Sequence, residues 1–233
     1  MNVLTINTSD QVLGVALLKD DQIIGEYVTN LRKGHAERLM PAIVHLMDEV
    51  EWVPEDLDKI VVAKGPGSYT GVRIGLTTAK TLAWALEIPI VGISSVYSLA
   101  YQAYFSPYLI SPFFDARRNR VYTGLYKWSD DRLQVLKDEQ NIAMDQWLEK
   151  LAPLDKKVVF LSPSILSFKE KIQDVLGENA LFAKGPYNVI RPAHLALASA
   201  NVEPINVHTL VPNYLRLAEA EANWLKQKDA KNE

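Results

Sequence analysis

The pattern of apolar and polar positions in the first third of the chain predicts three strands followed by a helix. β-Branched and apolar residues fill Val3–Asn7, Val12–Leu18 and Gln22–Thr29, and short polar turns separate these runs. After Gly34, apolar residues recur with helical spacing as far as Val50. The three strands therefore form an antiparallel meander that leads into an amphipathic helix. Pro41 either begins the regular part of this helix or kinks it.

The next segment alternates between strands and helices. Lys59–Ala63 and Ile88–Ile93 are short apolar runs, and a helix is predicted between them from about Thr70 to Leu86. Alternation of this kind implies parallel strands joined by right-handed crossovers. A meander followed by such crossovers is the element order of one lobe of an RNase-H-like sheet.

A second unit is predicted to begin near Ser106-Pro107, where strands follow one another again. Its predicted strands and helices are Leu109–Phe114, Arg120–Lys127, Arg132–Gln140, a helix at Met144–Leu151, Val158–Leu161, a helix at Ile165–Leu176 and a short strand near Leu181. The chain thus divides into an N-terminal lobe, residues 1–105, and a smaller lobe, residues 106–212. A C-terminal helix at 213–228 could complete the first lobe.

Two helices of the first lobe carry patterns that suit close packing. The apolar residues of the helix after Gly34 span roughly 160° of its surface, more than the ~100° that one core requires. The following helix places four small residues at a spacing of four: Gly71, Gly75, Ala79 and Ala83. Small residues on one helix face allow another backbone to approach closely. The pattern fits a partner surface and internal packing against the sheet about equally well.

Composition and charge restrict the function further. The chain has 233 residues, 25 Lys and Arg against 28 Asp and Glu, and no cysteine. The lack of cysteine excludes disulfides, a thiol nucleophile and cysteine-ligated metals, and a reducing compartment fits best. The N-terminal sequence resembles no signal peptide, so we expect a cytoplasmic protein. Neither half is strongly basic, so the chain alone should bind nucleic acid weakly.

The segment from Gly65 to Gly71, GPGSYTG, is the most distinctive candidate for a ligand-binding loop. It leaves a strand and opens a helix, where free N–H groups favour an anion. It fits neither the P-loop nor the Rossmann pattern, and a tight strand-to-helix turn is the favoured explanation. The candidate contacts for a nucleotide or anion are Thr8 and Ser9 of the first polar turn, together with Gly65, Gly67 and Ser68 of this loop. Asn7 is neutral, which argues against efficient magnesium-dependent phosphoryl transfer.

Searches for metal ligands and nucleophiles are negative. The four histidines show no HxxxH or HExxH spacing, and no GxSxG elbow occurs. We therefore expect no catalytic residue and no metal site in this chain. The turn DARRNR places Arg117, Arg118 and Arg120 between two strands. These arginines could contact a phosphate of RNA or a carboxylate of a partner, although such a turn is more often a solvated hairpin tip.

Tyrosines at helical spacing follow the last strand of the first lobe. They are Tyr97, Tyr101, Tyr104 and Tyr108. Packing between the two lobes is the simplest explanation of this spacing. A platform on which nucleic-acid bases stack is the alternative, but no nearby cations support it.

Several segments together resemble the TsaB (YeaZ) family of bacterial tRNA threonylcarbamoyladenosine biosynthesis proteins. They are VLTINTS with VALL, GHAERLMPAI, KGPGSYTGVRIGLTTAK, DARRNRVY and PNYLR, in family order along nearly the whole chain. GPGSYTGVRIG is the most specific of them. The resemblance implies an α/β protein of the actin/Hsp70/sugar-kinase (ASKHA) fold, with two RNase-H-like lobes of which the second is reduced.

The resemblance also implies a function. Proteins of this family support a homologous TsaD subunit, which transfers threonylcarbamoyl to adenosine 37 of tRNAs reading ANN codons, and the ATPase TsaE is a third member. ATP is then used through the other subunits, and tRNA is met only through the complex. The implied partner interface, which can also form a homodimer, includes Leu39, Ile43, Met47, Gly71, Gly75, Ala79 and Leu82. An independent small ASKHA-type ATPase or kinase is the alternative, and peptidase chemistry is not expected.

Overall fold

The computed structural model describes residues 1–31 and 34–215 and contains two five-stranded sheets. The strands are β1 (Asn2–Asn7), β2 (Val12–Lys19), β3 (Gln22–Asn30), β4 (Lys59–Ala63), β5 (Ile90–Ile93), β6 (Leu109–Asp115), β7 (Arg120–Ser129), β8 (Arg132–Ala143), β9 (Val158–Leu161) and β10 (Ala180–Phe182). The helices are α1 (His35–Glu49), α2 (Tyr69–Ala85), α3 (Ser95–Ala100), α4 (Met144–Leu151), α5 (Ile165–Leu176) and α6 (Pro192–Ala198). From residue 216 onward, the helix predicted at 213–228 lies outside the described residues.

The two sheets have the same topology. The first has the order β3-β2-β1-β4-β5, in which β1, β2 and β3 are antiparallel and β4 and β5 run parallel to β1. The second has the order β8-β7-β6-β9-β10 with the same pattern of directions. Two RNase-H-like lobes are therefore confirmed. The last strand of the second sheet has only three residues, and the smaller size expected for that lobe stays a prediction.

The helices occupy three positions relative to the sheets. α1 and α2 cover one face of the first sheet, with Leu39, Leu46 and Leu76 in its core. α4 and α5 cover the outer face of the second sheet, around the buried Trp147. α3 and α6 lie between the sheets and contribute to two further clusters. Among residues 1–31 and 34–215, no helix is long and apolar enough to cross a bilayer.

Helix α1 begins at His35 and includes Pro41. Pro41 therefore does not begin the helix. Its ring lies on the exposed side, where the hydrogen bond that proline cannot donate is most easily replaced by water.

Helix α6 was not predicted from the sequence. It packs on β1 and β2 of the first sheet, and Glu26 on β3 receives hydrogen bonds from the Arg191 side chain and from the Ala193 amide. With seven residues, the helix is too short for a reliable periodic signal. The division at residues 105 and 212 stays a prediction, and these contacts return the segment after Arg191 to the first sheet.

Candidate functional site

The first polar turn and the GPGSYTG loop pack directly against each other. We call residues 7–10 together with 65–71 the β1–α2 junction. The Ser68 amide donates to the carbonyl of Ser9 at 2.7 Å, and the Thr8 hydroxyl donates to the carbonyl of Gly71 at 2.8 Å. Ser68 also caps α2, because its hydroxyl accepts from the Gly71 amide. The loop that was a candidate for anion binding therefore packs against the chain's own backbone, as the alternative of a tight turn implies.

Two glycines of this junction are required by close approach. A Cβ atom on Gly67 would lie 2.0 Å from the carbonyl oxygen of Ser9, and one on Gly71 would lie 2.1 Å from that of Thr8. Both positions leave no room for a side chain, since such separations are far below van der Waals contact. The glycine spacing that resembled a phosphate loop serves backbone packing here.

The polar side chains of the first turn find partners in the turn or next to it, apart from one carboxylate oxygen. The buried Asn7 amide oxygen accepts from the Ser9 amide at 3.1 Å and from the Ser9 hydroxyl at 2.8 Å. Asp10 accepts from the Val12 amide through one oxygen, whereas its other oxygen is buried without a hydrogen bond in the described part of the chain. Burial raises the pKa of Asp10 to about 7.

Next to the junction, a cavity of about 500 Å³ opens between the N-terminal ends of α1 and α2. Its lining combines Gln11, Leu31, Gly34, His35, Ala36, Ser68, Thr70, Gly71 and Ile74. The His35 ring nitrogen Nε2 lies 2.7 Å from the Asp10 carbonyl oxygen, so this ring ties α1 to the junction.

The partner interface predicted from the sequence needs correction. Six of its seven residues are buried inside the chain itself, and only Leu82 is partly exposed. The small residues of α2 pack inward: a Cβ atom on Gly75 would lie 2.3 Å from the Thr8 hydroxyl oxygen. Internal packing therefore explains the Gly-Ala stripe, and a partner could contact these helices only through Leu82 and side chains outside the predicted set.

The exposed face of the two helices is a different set. On α1, Met40 is 41% exposed and Val44, one turn later, is 51% exposed. The opposite flank of α1 faces β3, where His45 packs edge-on against Tyr27. Helical periodicity then puts Met40 and Val44 on the other flank of α1, and Ile74 on α2 is half-buried. We call Met40, Val44 and Ile74 the outer α1–α2 groove.

A carboxylate between the lobes was missed by the sequence analysis. Glu139 on β8 accepts hydrogen bonds from Ser94, which caps α3, and from the Tyr126 hydroxyl at 3.0 Å. Burial raises the pKa of Glu139. The register of β7 and β8 shifts near Leu125, and such bulges redirect side chains. The partner Ser94 lies 45 residues earlier in the chain, so no local pattern in β8 reveals this contact.

The predicted packing role of the tyrosines is supported for three of them, because Tyr104 also packs edge-on against Trp128. Tyr97 packs edge-on against Tyr126, and Tyr101 packs edge-on against Trp128, so both connect α3 and its continuation to the second sheet. Tyr104 and Tyr108 are exposed.

The DARRNR turn between β6 and β7 faces outward. Arg117, Arg118 and Asn119 all adopt positive φ, at 64°, 53° and 58°. The sequence analysis grouped three arginines here, and the structure separates them. The Arg120 guanidinium donates to both the side-chain and the backbone oxygen of Asn141, so it holds β7 to β8. Arg117 and Arg118 are exposed.

Among residues 1–31 and 34–215, no group of three or more His, Cys, Asp or Glu side chains could hold a metal ion.

Comparisons with known proteins identify the family. A sequence model described as "TsaD: tRNA N6-adenosine threonylcarbamoyltransferase" matches residues 22–224. The tRNA threonylcarbamoyladenosine biosynthesis protein TsaB of Bacillus subtilis (strain 168) is 49% identical over 226 residues, which cover 97% of this chain and 99% of that protein. The chain belongs to the TsaB family. It also falls within the broader family that the TsaD model describes.

Solved structures agree with the TsaB fold. One protein of Pseudomonas aeruginosa, described as uncharacterized with similarity to peptidase YeaZ, has a TM-score of 0.77 at 25% identity and covers 92% of this chain and 99% of its own. YeaZ from the same organism has a TM-score of 0.75 at 24% identity, with 91% and 99% covered. The ASKHA-type fold expected from the resemblance is thus confirmed.

Proposed function

We propose that this protein is a non-catalytic accessory subunit of the complex that forms N6-threonylcarbamoyladenosine at position 37 of tRNAs reading ANN codons. A TsaD homologue would carry out the transfer, and an ATPase of the TsaE type would be the third member. The proposal draws on membership of the TsaB family and on the tRNA modification for which its relatives are named.

The observation that carries the accessory role is the closed β1–α2 junction. In actin-like ATPases, the turn that corresponds to residues 7–10 lies against the phosphates of the nucleotide. Here the Ser68 amide donates a hydrogen bond to the Ser9 carbonyl, and Gly67 lies against the same carbonyl group. A phosphate in this place would have to displace buried backbone hydrogen bonds, each of which is costly to break. This geometry favours a subunit that leaves the chemistry to its partner.

The outer α1–α2 groove is the surface that we propose for docking the TsaD homologue. Met40 and Val44 are apolar and exposed, although they lie on a helix whose other face is fully packed. A stable docking contact should bury on the order of 1,000 Å² or more, so it would extend beyond these residues along both helices. In the absence of the partner, the same surface could pair two copies of this chain.

Reconstitution tests the proposed function. Purified TsaD homologue, TsaE homologue, threonylcarbamoyl-AMP, ATP and tRNA are combined with and without this protein, and modified adenosine is quantified. We expect modification only when this protein is added. Equal modification without it would contradict the accessory role. Steady ATP hydrolysis by this protein alone with magnesium would instead favour the independent ATPase.

Val44→Glu tests the docking surface. An unpaired carboxylate buried in the contact should cost roughly 3 kcal/mol, which corresponds to an affinity for the TsaD homologue about 100-fold lower. Calorimetric titration measures the affinity. Gln22→Glu is the matched control, because it adds the same charge at an exposed position on β3. Wild-type affinity for Val44→Glu would exclude this groove. Gly75→Leu is unsuitable as a probe, because Thr8 leaves no room for the new side chain.

A further inference from the structure

The backbone of the β6–β7 turn holds an unfavourable conformation over three consecutive residues. Arg117, Arg118 and Asn119 lie in the left-handed region, which side chains other than glycine rarely adopt. One such residue is common in turns, whereas three in succession need support from their surroundings. Strain of this kind is often retained where it fixes a functional group.

Hydrogen bonds from three elements hold this turn in place. The Asp115 side chain accepts from the Arg117 amide at 2.7 Å. The Asn119 side chain donates to Asp145 on α4 at 2.6 Å and accepts from Lys171 on α5 at 3.0 Å. Lys171 and Asp145 also form an ion pair at 2.8 Å. The turn is therefore anchored to both helices on the outer face of the second sheet.

Within this rigid turn, one guanidinium is left for an external ligand. The Arg120 guanidinium donates its hydrogen bonds to Asn141. The Arg117 side chain is exposed, and its guanidinium forms no hydrogen bond or ion pair with any residue in the described ranges. Because the backbone at Arg117 is fixed by Asp115, less freedom is lost when its side chain binds a ligand.

The charge around the turn favours a phosphate over a carboxylate as that ligand. Apart from Arg118, the ionised side chains of the turn and its anchors are Arg117, Arg120, Lys171, Asp115 and Asp145. These three cations against two anions leave a local excess of +1, whereas the whole chain carries −3. A local positive excess on an acidic protein attracts a polyanion to one place.

We propose that Arg117 binds a backbone phosphate of tRNA when the tRNA is held by the complex. This inference rests on the proposed function. A guanidinium binds a phosphate through paired N–H donors, and one such contact positions the RNA without reading its sequence. A single contact also agrees with the weak binding of nucleic acid that we expect from the isolated chain.

The test compares Arg117→Ala and Arg117→Lys in the reconstituted complex. For Arg117→Ala we expect a KM for tRNA that is about 5–10-fold higher and an unchanged kcat. The salt slope, which is the slope of the logarithm of the tRNA binding constant against the logarithm of salt concentration, should be smaller in magnitude by about one. Arg117→Lys keeps the charge and should retain most of the affinity and the slope. Arginine, alanine and lysine are equally disfavoured at positive φ, so neither substitution at position 117 should change the backbone.

Arg132→Ala is the matched control, because it removes the same charge from an exposed turn at the opposite end of β7. It should leave the KM and the salt slope unchanged. An unchanged KM for Arg117→Ala, or an equal effect of Arg132→Ala, would overturn the inference. Weaker binding of the TsaD homologue with normal tRNA affinity would assign Arg117 to a partner carboxylate and would also overturn it. Failure of the proposed function is recognised separately, because wild-type protein would then not stimulate modification at all.

Discussion

The β1–α2 junction and the β6–β7 turn are both short polar segments at strand ends, and the chain uses them in opposite ways. The junction uses glycines to bring two backbones together, as Gly67 does against Ser9. The turn instead has non-glycine residues at three consecutive positions with positive φ, including Arg117, where glycine would be less strained. The first directs its polar groups inward and satisfies most of them internally, whereas the second directs a guanidinium outward.

This difference shows how a motif should be read. GPGSYTG is the more distinctive segment in the sequence, and a ligand loop is an obvious interpretation of it. Its hydrogen bonds with residues 7–10 show that its glycines serve packing. DARRNR is less distinctive, yet it retains strain and leaves a side chain exposed. Glycine spacing indicates close approach, and only the partners of the backbone show whether a ligand or the chain itself approaches.

The largest effect should come from adding a methyl group to the junction. Gly67→Ala places Cβ 2.0 Å from the Ser9 carbonyl oxygen, which is itself fixed by a hydrogen bond from Ser68. Overpacking of this kind should cost about 3 kcal/mol, so Tm should fall by roughly 6–12 °C. Gly34→Ala is the control, because no atom lies within 4 Å of its added Cβ. Equal Tm values for both variants, measured by calorimetry, would mean that the junction is not closed.

A smaller effect should appear as a dependence of stability on pH. The pKa of Asp10 is about 7 in the folded chain against 3.8 ordinarily, so the folded state binds this proton more tightly than the unfolded state. Stability should therefore fall as pH rises from about 4 to 7, and the penalty should be complete above pH 7. A shift of that size corresponds to roughly 4 kcal/mol, and partial exposure reduces the expected penalty to about 2 kcal/mol.

Asp10→Asn isolates this effect, because the amide keeps an acceptor for the Val12 amide and cannot ionise. Urea unfolding of both proteins at pH 4.5 and pH 8 measures the difference. The variant should gain about 2 kcal/mol relative to wild type only at the higher pH. A constant difference between the two proteins at both pH values would show that burial of the carboxylate has no such consequence.

The smallest effect should be a gain in stability at the outward turn. Arg117→Gly relieves one of the three left-handed residues, and the greater freedom of glycine in the unfolded chain offsets part of this gain. We expect the free energy of unfolding to rise by about 0.5 kcal/mol, measured by urea denaturation, while tRNA affinity in the complex falls. Loss of stability in this variant would show that the Arg117 side chain supports the fold.

The sequence predicted the sheets more accurately than it predicted the surfaces. Alternation and apolar runs found every strand of both sheets, because each strand crosses a core with a regular inward period. Helix α2 shows the limit of periodicity. The stripe of small residues from Gly71 to Ala83 indicated that another backbone packs closely against α2. The structure shows that this backbone is the chain's own β1 and the turn that follows it.

Other features depend on contacts between distant parts of the chain. Glu139 accepts a hydrogen bond from Ser94, which lies 45 residues earlier in the chain, and no local pattern in β8 contains that information. Helix α6 is short and becomes stable through Glu26, which lies far away in sequence. Arg120 could not be distinguished from Arg117 before Asn141 was placed beside it. Pattern reasoning finds elements, whereas the roles of single polar side chains require their partners.

The position of α6 determines when the first sheet can be completed during synthesis. Its inner face, with Val3, Ala16 and Val61, is covered by Ala193 and Leu195 of this late helix. A ribosome that has released only the first lobe has therefore made a sheet with one apolar face exposed to water. That face stays open until nearly the whole chain has emerged, and contacts so distant in sequence form slowly. The nascent chain thus has an extended period in which aggregation competes with folding.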